Sequence, residues 1–456
     1  MNTAVGPELT TGSKGRDVIS PRRDDPLEGG FADLEAELVN LERFKLGCEK
    51  SPEKMGKYNE RKEAFERQLK AQVEMEENIH GNGNRFLYLQ GRFCKLNDDP
   101  KAESYLAKAV KLDPLNCEAW NTLGELFWGN GDLNSARDCF VTCLEQQESK
   151  STLRHLSMLL RKLGSTPKER VDNTMESLKL CKRAIALDFN DGESWYTLGN
   201  TYLFLFFSMT HATEDLQAAL KAYRKSQSLE KDDYRNPDLY FNRAQVLVYL
   251  EEYESAVEDY EQAKVLDPSL PADAKIDSIV RKIDNSTEMI KRNGRIKPKR
   301  LATLVKSLKT AASVELKVDY SRVRNINGNN RVSEPVKLER VQALKDLVQG
   351  DNPGVAIDLK IVLPLARNGE PPVSFLVTDR DGVMFVLSVY HLEASVITKI
   401  KSERDHIIIA EPSLRTVNFR QHSYQLVQLK MPTQFFVNGK ILEKNFAHAA
   451  LDSASV

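Results

Sequence analysis

The chain has 456 residues, 41% of them hydrophobic, with 65 Lys and Arg against 66 Asp and Glu for a formal net charge of −1. That length and apolar content suit about three domains with real cores, or fewer if one is a repeat array, and the balanced charge excludes nucleic-acid binding by bulk positive charge, though not by a local patch. The nearest approach to an apolar stretch, residues 202–209, spans eight residues and includes Ser208, far short of the roughly 20 that a membrane-crossing helix requires.

Residues 1–30 combine Gly, Pro and charge without an apolar stretch, so no secretory signal is expected. Glu8, Asp17, Asp24, Asp25 and Glu28 make the segment too acidic for a transit peptide. It reads as a disordered tail of a cytosolic or nuclear protein. Residues 31–80 predict two charged amphipathic helices, over 31–44 and 53–77, that cover the first repeat of the solenoid beyond them. Gly81-Asn82-Gly83 follows no strand and reads as a helix-starting loop, not a phosphate cradle. The six cysteines are Cys48, Cys94, Cys117, Cys139, Cys143 and Cys181, with none beyond. That is no disulfide framework and fits a reducing compartment. Cys139 and Cys143, one helical turn apart without a histidine nearby, read as small core residues.

Residues 84–292 repeat. AVKLDP starts at Ala109, AIALDF at Ala184 and AKVLDP at Ala263. Five times a small residue is followed by a large one four later and a small one three after that: Ala102, Leu106, Ala109; Ala136, Phe140, Cys143; Ser177, Cys181, Ala184; Ala219, Tyr223, Ser226; Ala256, Tyr260, Ala263. The last members step by 34, 41, 42 and 37 residues. Trp120-x₂-Leu123-Gly124-x₂-Phe127 and Trp195-x₂-Leu198-Gly199-x₂-Tyr202 precede two of these sets, which completes the tetratricopeptide signature. Helical hairpins of this kind stack into a superhelix. The longer steps place insertions at GSTPK (164–168) and SMTHATE (208–214), and Ile276, Ile279, Val280 and Ile283 mark an amphipathic capping helix over 271–292.

The concave groove of such a solenoid is lined by repeat positions 2, 5, 9 and 12. Counted from the Leu-Gly pair, Asn121 and Glu125 fall at positions 5 and 9 of the second unit, Arg154 and Arg161 at 5 and 12 of the third, and Asn200 at 9 of the fourth. Counted from Pro268, Asp238 and Gln245 fall at 2 and 9 of the fifth. Asn side chains can pair with an extended peptide backbone, Arg161 suits a carboxylate and Asp238 a basic side chain. Each also has a plainer role: Arg161 could pair within the solenoid and Asp238 could cap a helix. As a lesser alternative, Arg154, Arg161, Asn121 and Asn200 could mimic a two-carboxylate clamp for an acidic C-terminal tail.

Residues 293–335 read as a basic linker, a short helix over 301–312 and a loop over 321–333. The run 291–300 carries Lys291, Arg292, Arg295, Lys297, Lys299 and Arg300 without an acid, which suits phosphate contact or a nuclear-import signal. From 336 to 440 the period changes to two. Strands are predicted at 355–363, 373–378, 383–390, 406–410, 415–419, 424–429 and 434–437, with turns at 379–382 and Asn438-Gly439. That many short strands suit an OB-like barrel, and 441–456 reads as a tail. The fold class is therefore α+β and multidomain, an α-helical tetratricopeptide superhelix followed by a small OB-like β-barrel. No nucleotide, metal or catalytic motif is present, and the seven histidines are scattered. No enzyme, metal site or cofactor is expected.

The stretches EAWNTLGELFWGNGDLNSARDCF (118–140), LSMLLRKL (156–163), DGESWYTLGNTYLFLFFS (191–208), NPDLYFNRA (236–244) and LDPSLP (266–271) resemble the family of tetratricopeptide repeat protein 5, also called Strap. The resemblance covers about 85–440, insertions and barrel included. It implies a non-enzymatic adaptor that recognises the Met-Arg-Glu-type N-terminal peptide of nascent tubulin at the ribosome and triggers tubulin mRNA decay through an mRNA-decay adaptor. It also implies a nuclear stress-response role with an acetyltransferase coactivator, hence cytoplasmic and nuclear localisation. The family's peptide-binding Arg and Asp fall on Arg161 and Asp238. Its ribosome-facing basic region, which meets ribosomal RNA phosphates, falls on the 291–300 run with Lys297 the best match. A family groove acid falls on Ala272, with Asp273 beside it as a substitute.

Overall fold

The structure is a computed structural model and describes residues 26–46, 52–80, 86–210, 213–230, 235–310, 338–365, 372–390, 392, 399–430 and 434–441. Most of the expected N-terminal tail, Gly81-Asn82-Gly83, the loop expected at 321–333 and the C-terminal tail from 442 lie outside the described residues. The chain divides into two compact units at residue 139.

In the first unit, α1 (Pro26–Leu46) starts within the segment expected to be a tail, with Pro26 at its first position. Proline suits that position because its fixed φ is helical and its missing N–H has no partner there to lose. Leu34, Leu38 and Leu41 form one face of α1 and meet Tyr58, Phe65 and Leu69 of α2 (Pro52–His80) in a single core. Phe86, Phe93 and Leu106 extend that core through α3 (Leu87–Leu96) and α4 (Lys101–Leu112). Arg92 of α3 grips Glu42 of α1 with two hydrogen bonds of 2.8 and 2.6 Å. α5 (Cys117–Gly129) comes next, and α6 (Leu133–Gln146) contains the unit boundary.

The second unit continues with the hairpins α7 (Lys150–Leu160) and α8 (Pro167–Leu187), α9 (Gly192–Leu205) and α10 (Thr213–Ser228), and α11 (Pro237–Tyr249) and α12 (Tyr253–Leu266). All fifteen residues of the five small-large-small sets are buried. Their sizes are matched: a Cβ on Gly199 would lie 2.6 Å from Tyr223 Cε1, so α9 and α10 pack at a distance only glycine allows. Trp195 Nε1 donates to Phe189 O at 2.9 Å and Trp120 Nε1 to Pro114 O at 3.0 Å. In both repeats the tryptophan thus anchors the turn six residues before it.

The insertion GSTPK becomes a helix start. Thr166 and Glu169 form a reciprocal capping box and Pro167 opens α8. The second insertion begins differently from expectation. Phe206–Thr210 continues α9 as a π-helical turn rather than a loop, because Phe206 is drawn into the core against Tyr249, ring centroids 5.2 Å apart.

α13 (Ala272–Lys291) carries the expected stripe, with Ile279 and Ile283 buried on the last hairpin. Asp277, Arg281 and Asp284 lie outside the stripe and are exposed, yet one edge of the helix is not free. It packs on the barrel, where Asp284 Oδ1 meets His422 Nε2 at 3.0 Å. A 3₁₀ turn (Asn293–Arg295) and α14 (Pro298–Thr310) complete this layer. Gly294, at φ +64°, lies so close to the barrel that a Cβ would be 2.5 Å from Val362 Cγ1. The expected linker is therefore packed against the barrel at its start.

The barrel strands are β1 (Glu339–Val341), β2 (Gly350–Asp351), β3 (Val355–Pro364), β4 (Val373–Thr378), β5 (Met384–Val389), β6 (Ile407–Ala410), β7 (Ser413–Phe419), β8 (His422–Leu429), β9 (Phe435–Val437) and β10 (Lys440–Ile441). β3, β4, β5, β8 and β7 are neighbours in that order, with β5 and β8 parallel. β2 pairs with β7 and β3 with β4, so one strand bent at 352–354 closes the ring. Asn352 holds the bend, its amide donating to Val348 O, Gly350 O and Pro412 O at 2.9, 2.9 and 3.2 Å. β6, β9 and β10 extend from the other edge of β3, and β1 pairs with β3 in parallel. The interior is filled by Ile357, Leu359, Ile361, Phe375, Phe385, Leu387, Val427 and Phe435 among others.

Solenoid and barrel share a seam. Val386, Tyr390, Val417, Phe419, Tyr424 and Leu426 on the barrel's outer side join the cluster of α11, α12 and α13. Within it Glu251, in the turn after α11, is 7% exposed. Its carboxylate accepts from Ser388 Oγ (2.7 Å), Tyr390 Oη (3.0 Å), Gln428 Nε2 (2.8 Å) and Tyr253 Oη (3.2 Å), with Lys282 Nζ at 3.7 Å. Glu251→Ala should lower stability by about 3 kcal/mol, because buried donors lose a charged acceptor. Glu251→Gln, which keeps shape and one acceptor, should cost less. Urea unfolding of the two variants checks this, and equal losses would mean that the carboxylate is not the bond that matters.

Candidate peptide groove and basic face

Arg161 ends α7 and is 8% exposed. Its Nη1 donates to Thr201 Oγ1 at 2.8 Å and to Thr197 O at 3.4 Å. Among the described residues no carboxylate pairs with it, and burial pushes its pKa down. Tyr196, Tyr223 and Cys181 lie within its electrostatic reach. Asn200 is buried beside them: its Oδ1 accepts from Tyr223 Oη at 2.7 Å and from Asn242 Nδ2 at 3.2 Å. Asn242 Nδ2 also donates to Tyr196 Oη at 3.2 Å.

Asp238 lies in the first turn of α11, whose N-cap is Asn236: the Asn236 side chain accepts from the Asp238 N–H at 3.0 Å. The capping role considered for Asp238 is thus filled by Asn236. The Asp238 carboxyl is half-buried, and among the described residues no cation pairs with it. Burial first, and Asp267 second, raise its pKa. Tyr196, pushed up to about 12 mainly by burial, feels both Asp238 and Arg161. A lone acid and a lone base therefore flank one tyrosine.

The other groove candidates are placed otherwise. Arg154 is bound to Asp191 and Glu193, each at 2.5 Å, so its charge is spent at the start of α9. Asp273 is exposed and paired with Lys264 at 2.6 Å, while Ala272 is fully buried. Asn121 belongs to the first unit and is buried there, and Glu125 pairs with Lys95. Tyr196 and Asn242 were missed. Tyr196 occupies position 5 of the fourth repeat, a position counted in two other repeats, so the same frame contained it.

The six basic residues of 291–300 are all exposed. Arg292 and Arg295 share Glu288 at 3.1 Å, and Arg300 pairs with Glu403. Lys291, Lys297 and Lys299 have no acidic partner among the described residues. α14 buries Leu304 and Leu308 on the barrel side and exposes Lys306 and Lys309. Among the described residues no cluster of three or more His, Cys, Asp or Glu could hold a metal ion, and no helix is long and apolar enough to cross a membrane.

Residues 338–451 match the family described as the tetratricopeptide repeat protein 5 OB fold domain, and residues 118–150 and 237–270 match tetratricopeptide repeats. Human tetratricopeptide repeat protein 5 (Homo sapiens) is 33% identical over 384 residues, 82% of this chain and 84% of its own. The chain belongs to the tetratricopeptide repeat protein 5 family. The family's bovine (Bos taurus) member is 33% identical over 387 residues, 83% of this chain and 85% of its own, and its mouse (Mus musculus) member 33% over 362, 78% and 80%. The chain is a protein-binding adaptor of the tetratricopeptide type, and repeat families of this kind are typically non-enzymatic scaffolds.

Because the folded-state pKa of Asp238 is raised, its ionised form is a burden on the folded groove. That burden is full above the raised pKa and disappears as pH falls below the unfolded value. Asp238→Asn should therefore raise the melting temperature at about pH 7 and lose that advantage near about pH 3. A melting series across pH reads this directly; stabilisation that does not depend on pH would contradict it.

Proposed function

We propose that the groove reads the N-terminal peptide of nascent tubulin, in which an Arg and a Glu come after the initiator Met. The observation that carries this is the pair of unspent charges. Arg161 offers two-pronged donors to a carboxylate, and Asp238 offers an acceptor to a guanidinium. Each already bears the desolvation cost of burial, so a ligand of opposite charge is not required to strip much more water from it. Tyr196 and the amides of Asn200 and Asn242 supply polar groups between them.

The exposed lysines of the 291–300 run suit ribosomal RNA phosphates, which would hold the groove near an emerging chain. On this reading the protein works in the cytoplasm, and an occupied groove signals tubulin mRNA decay through a further adaptor.

Titration of a synthetic peptide beginning Met-Arg-Glu should show Arg161→Ala losing at least about tenfold in affinity, with the circular dichroism spectrum unchanged. Unchanged affinity would remove the groove from the mechanism. Separately, Lys297→Glu with Lys299→Glu should lower ribosome co-sedimentation and flatten its salt dependence, since fewer counterions are released.

A further inference from the structure

The second unit contains a cavity of about 340 Å³ that the groove residues do not line. It opens where the π-helical turn after α9, together with α10, faces β7 and β8. Phe206, Tyr249, Leu250 and Tyr390 form its apolar side. Phe206 meets Tyr249 edge-on at 5.2 Å, and Tyr249 meets Tyr390 in the same way at 5.0 Å. Lys221 of α10 and Arg415 of β7 stand on opposite walls, both exposed and neither with an acidic partner among the described residues. Lys430 is held by Asp351 at 2.9 Å, and among the described residues Glu214 is the one acid of the lining. Gln428 directs its amide N–H groups to Glu251 and Tyr390 at 2.8 and 3.1 Å, which leaves its carbonyl oxygen to accept.

We propose that this cavity is a second docking site, for one large apolar or aromatic side chain flanked by carboxylates in a short acidic segment of a partner protein. The volume lies at the small end of ligand clefts, about 300–1,000 Å³, which suits a single anchoring side chain. The aromatic wall accepts the anchor, the two unpaired cations take a carboxylate on either side of it, and the Gln428 oxygen accepts one backbone N–H. Glu214 at the rim works against the concentrated charge of a nucleoside polyphosphate. The site is opposite in taste to the acid at Asp238, so one peptide would not suit both.

The test uses the full chain and a labelled pool of pentapeptides with Phe, Trp or Leu at the centre and Asp or Glu on both sides, read by fluorescence polarisation. Saturable binding is expected. It should disappear when the centre is Ser or the flanks are Lys, and weaken about fivefold with either Lys221→Glu or Arg415→Glu. Both substitutions are at exposed positions and should leave melting unchanged. Arg161→Ala and an excess of the Met-Arg-Glu peptide should have no effect, which separates this site from the groove. Absence of saturable binding, binding that survives both charge reversals together, or displacement by ATP or a short oligonucleotide would each overturn the proposal.

Discussion

The buried carboxylate of Glu251 joins the two folds of the second unit. It lies in the tight turn between α11 and α12 with φ at 61°, a conformation that non-glycine residues seldom adopt. The four hydrogen bonds it accepts make that conformation worth holding, since any other would leave barrel donors unmet in a dry seam. Asp238 is in the first turn of the same helix that ends beside Glu251. A helix of 13 residues is a rod of roughly 20 Å, so the groove's acid and the barrel are fixed to one stiff element. Whatever orients the barrel orients that part of the groove as well.

The same seam decides what the barrel can do. OB folds commonly present the face of their second and third strands to oligonucleotides. Here those strands are β4 and β5, and every residue of both is buried. Phe385, Leu387 and Val389 point into the barrel, while Val386 and Tyr390 point into the solenoid cluster and Leu376 meets Met289 of α13. The customary ligand face is thus occupied by the chain's own helices. Positive charge is displayed instead on the run that leaves α13 and on α14, where lysine side chains reach solvent. This basic helical layer is anchored to β3 through Gly294.

Much of this was legible in the sequence because the governing rules are local. The small-large-small sets located the second helix of every hairpin, and seven of the ten strands were read from alternation and turn residues. β1, β2 and β10 were missed because two or three residues carry no period, and their pairing is set by distant partners. Along β3, Asp358 and Lys360 alternate with the apolar Ile357, Leu359 and Ile361. In the structure Asp358 is buried between Arg340 at 3.2 Å and Arg380 at 2.5 Å, and Lys360 donates to Arg404 O at 2.7 Å. Arg340, Arg380 and His406, which meet Asp358, lie 18, 22 and 48 residues away in sequence, and nothing near Asp358 announces them. For the groove, the repeat frame supplied Arg161, Asn200 and Asp238, but not which charges were already spent. Asp191 and Glu193, which neutralise Arg154, lie 37 and 39 residues further along.

The distinction between spent and unspent charge is what gives the groove its meaning, and the chain contains its own control. Arg243 is as buried as Arg161, each 8% exposed. Around Arg243, burial works to lower the pKa, but Asp259 binds Nε and Nη2 at 2.6 Å, Gln227 binds Nη1 at 2.6 Å, and the outcome is a raised value. That is how this fold satisfies an arginine kept for structure. Around Arg161 there are hydroxyls, aromatic rings and a thiol but, among the described residues, no paired carboxylate, and the pKa falls. Replacing such a cation by an apolar side chain of similar volume would generally favour folding. A groove that instead keeps a bare guanidinium at one end and a bare carboxylate at the other is held at some cost to stability. On the proposed reading, a ligand with the complementary pair of charges recovers that cost.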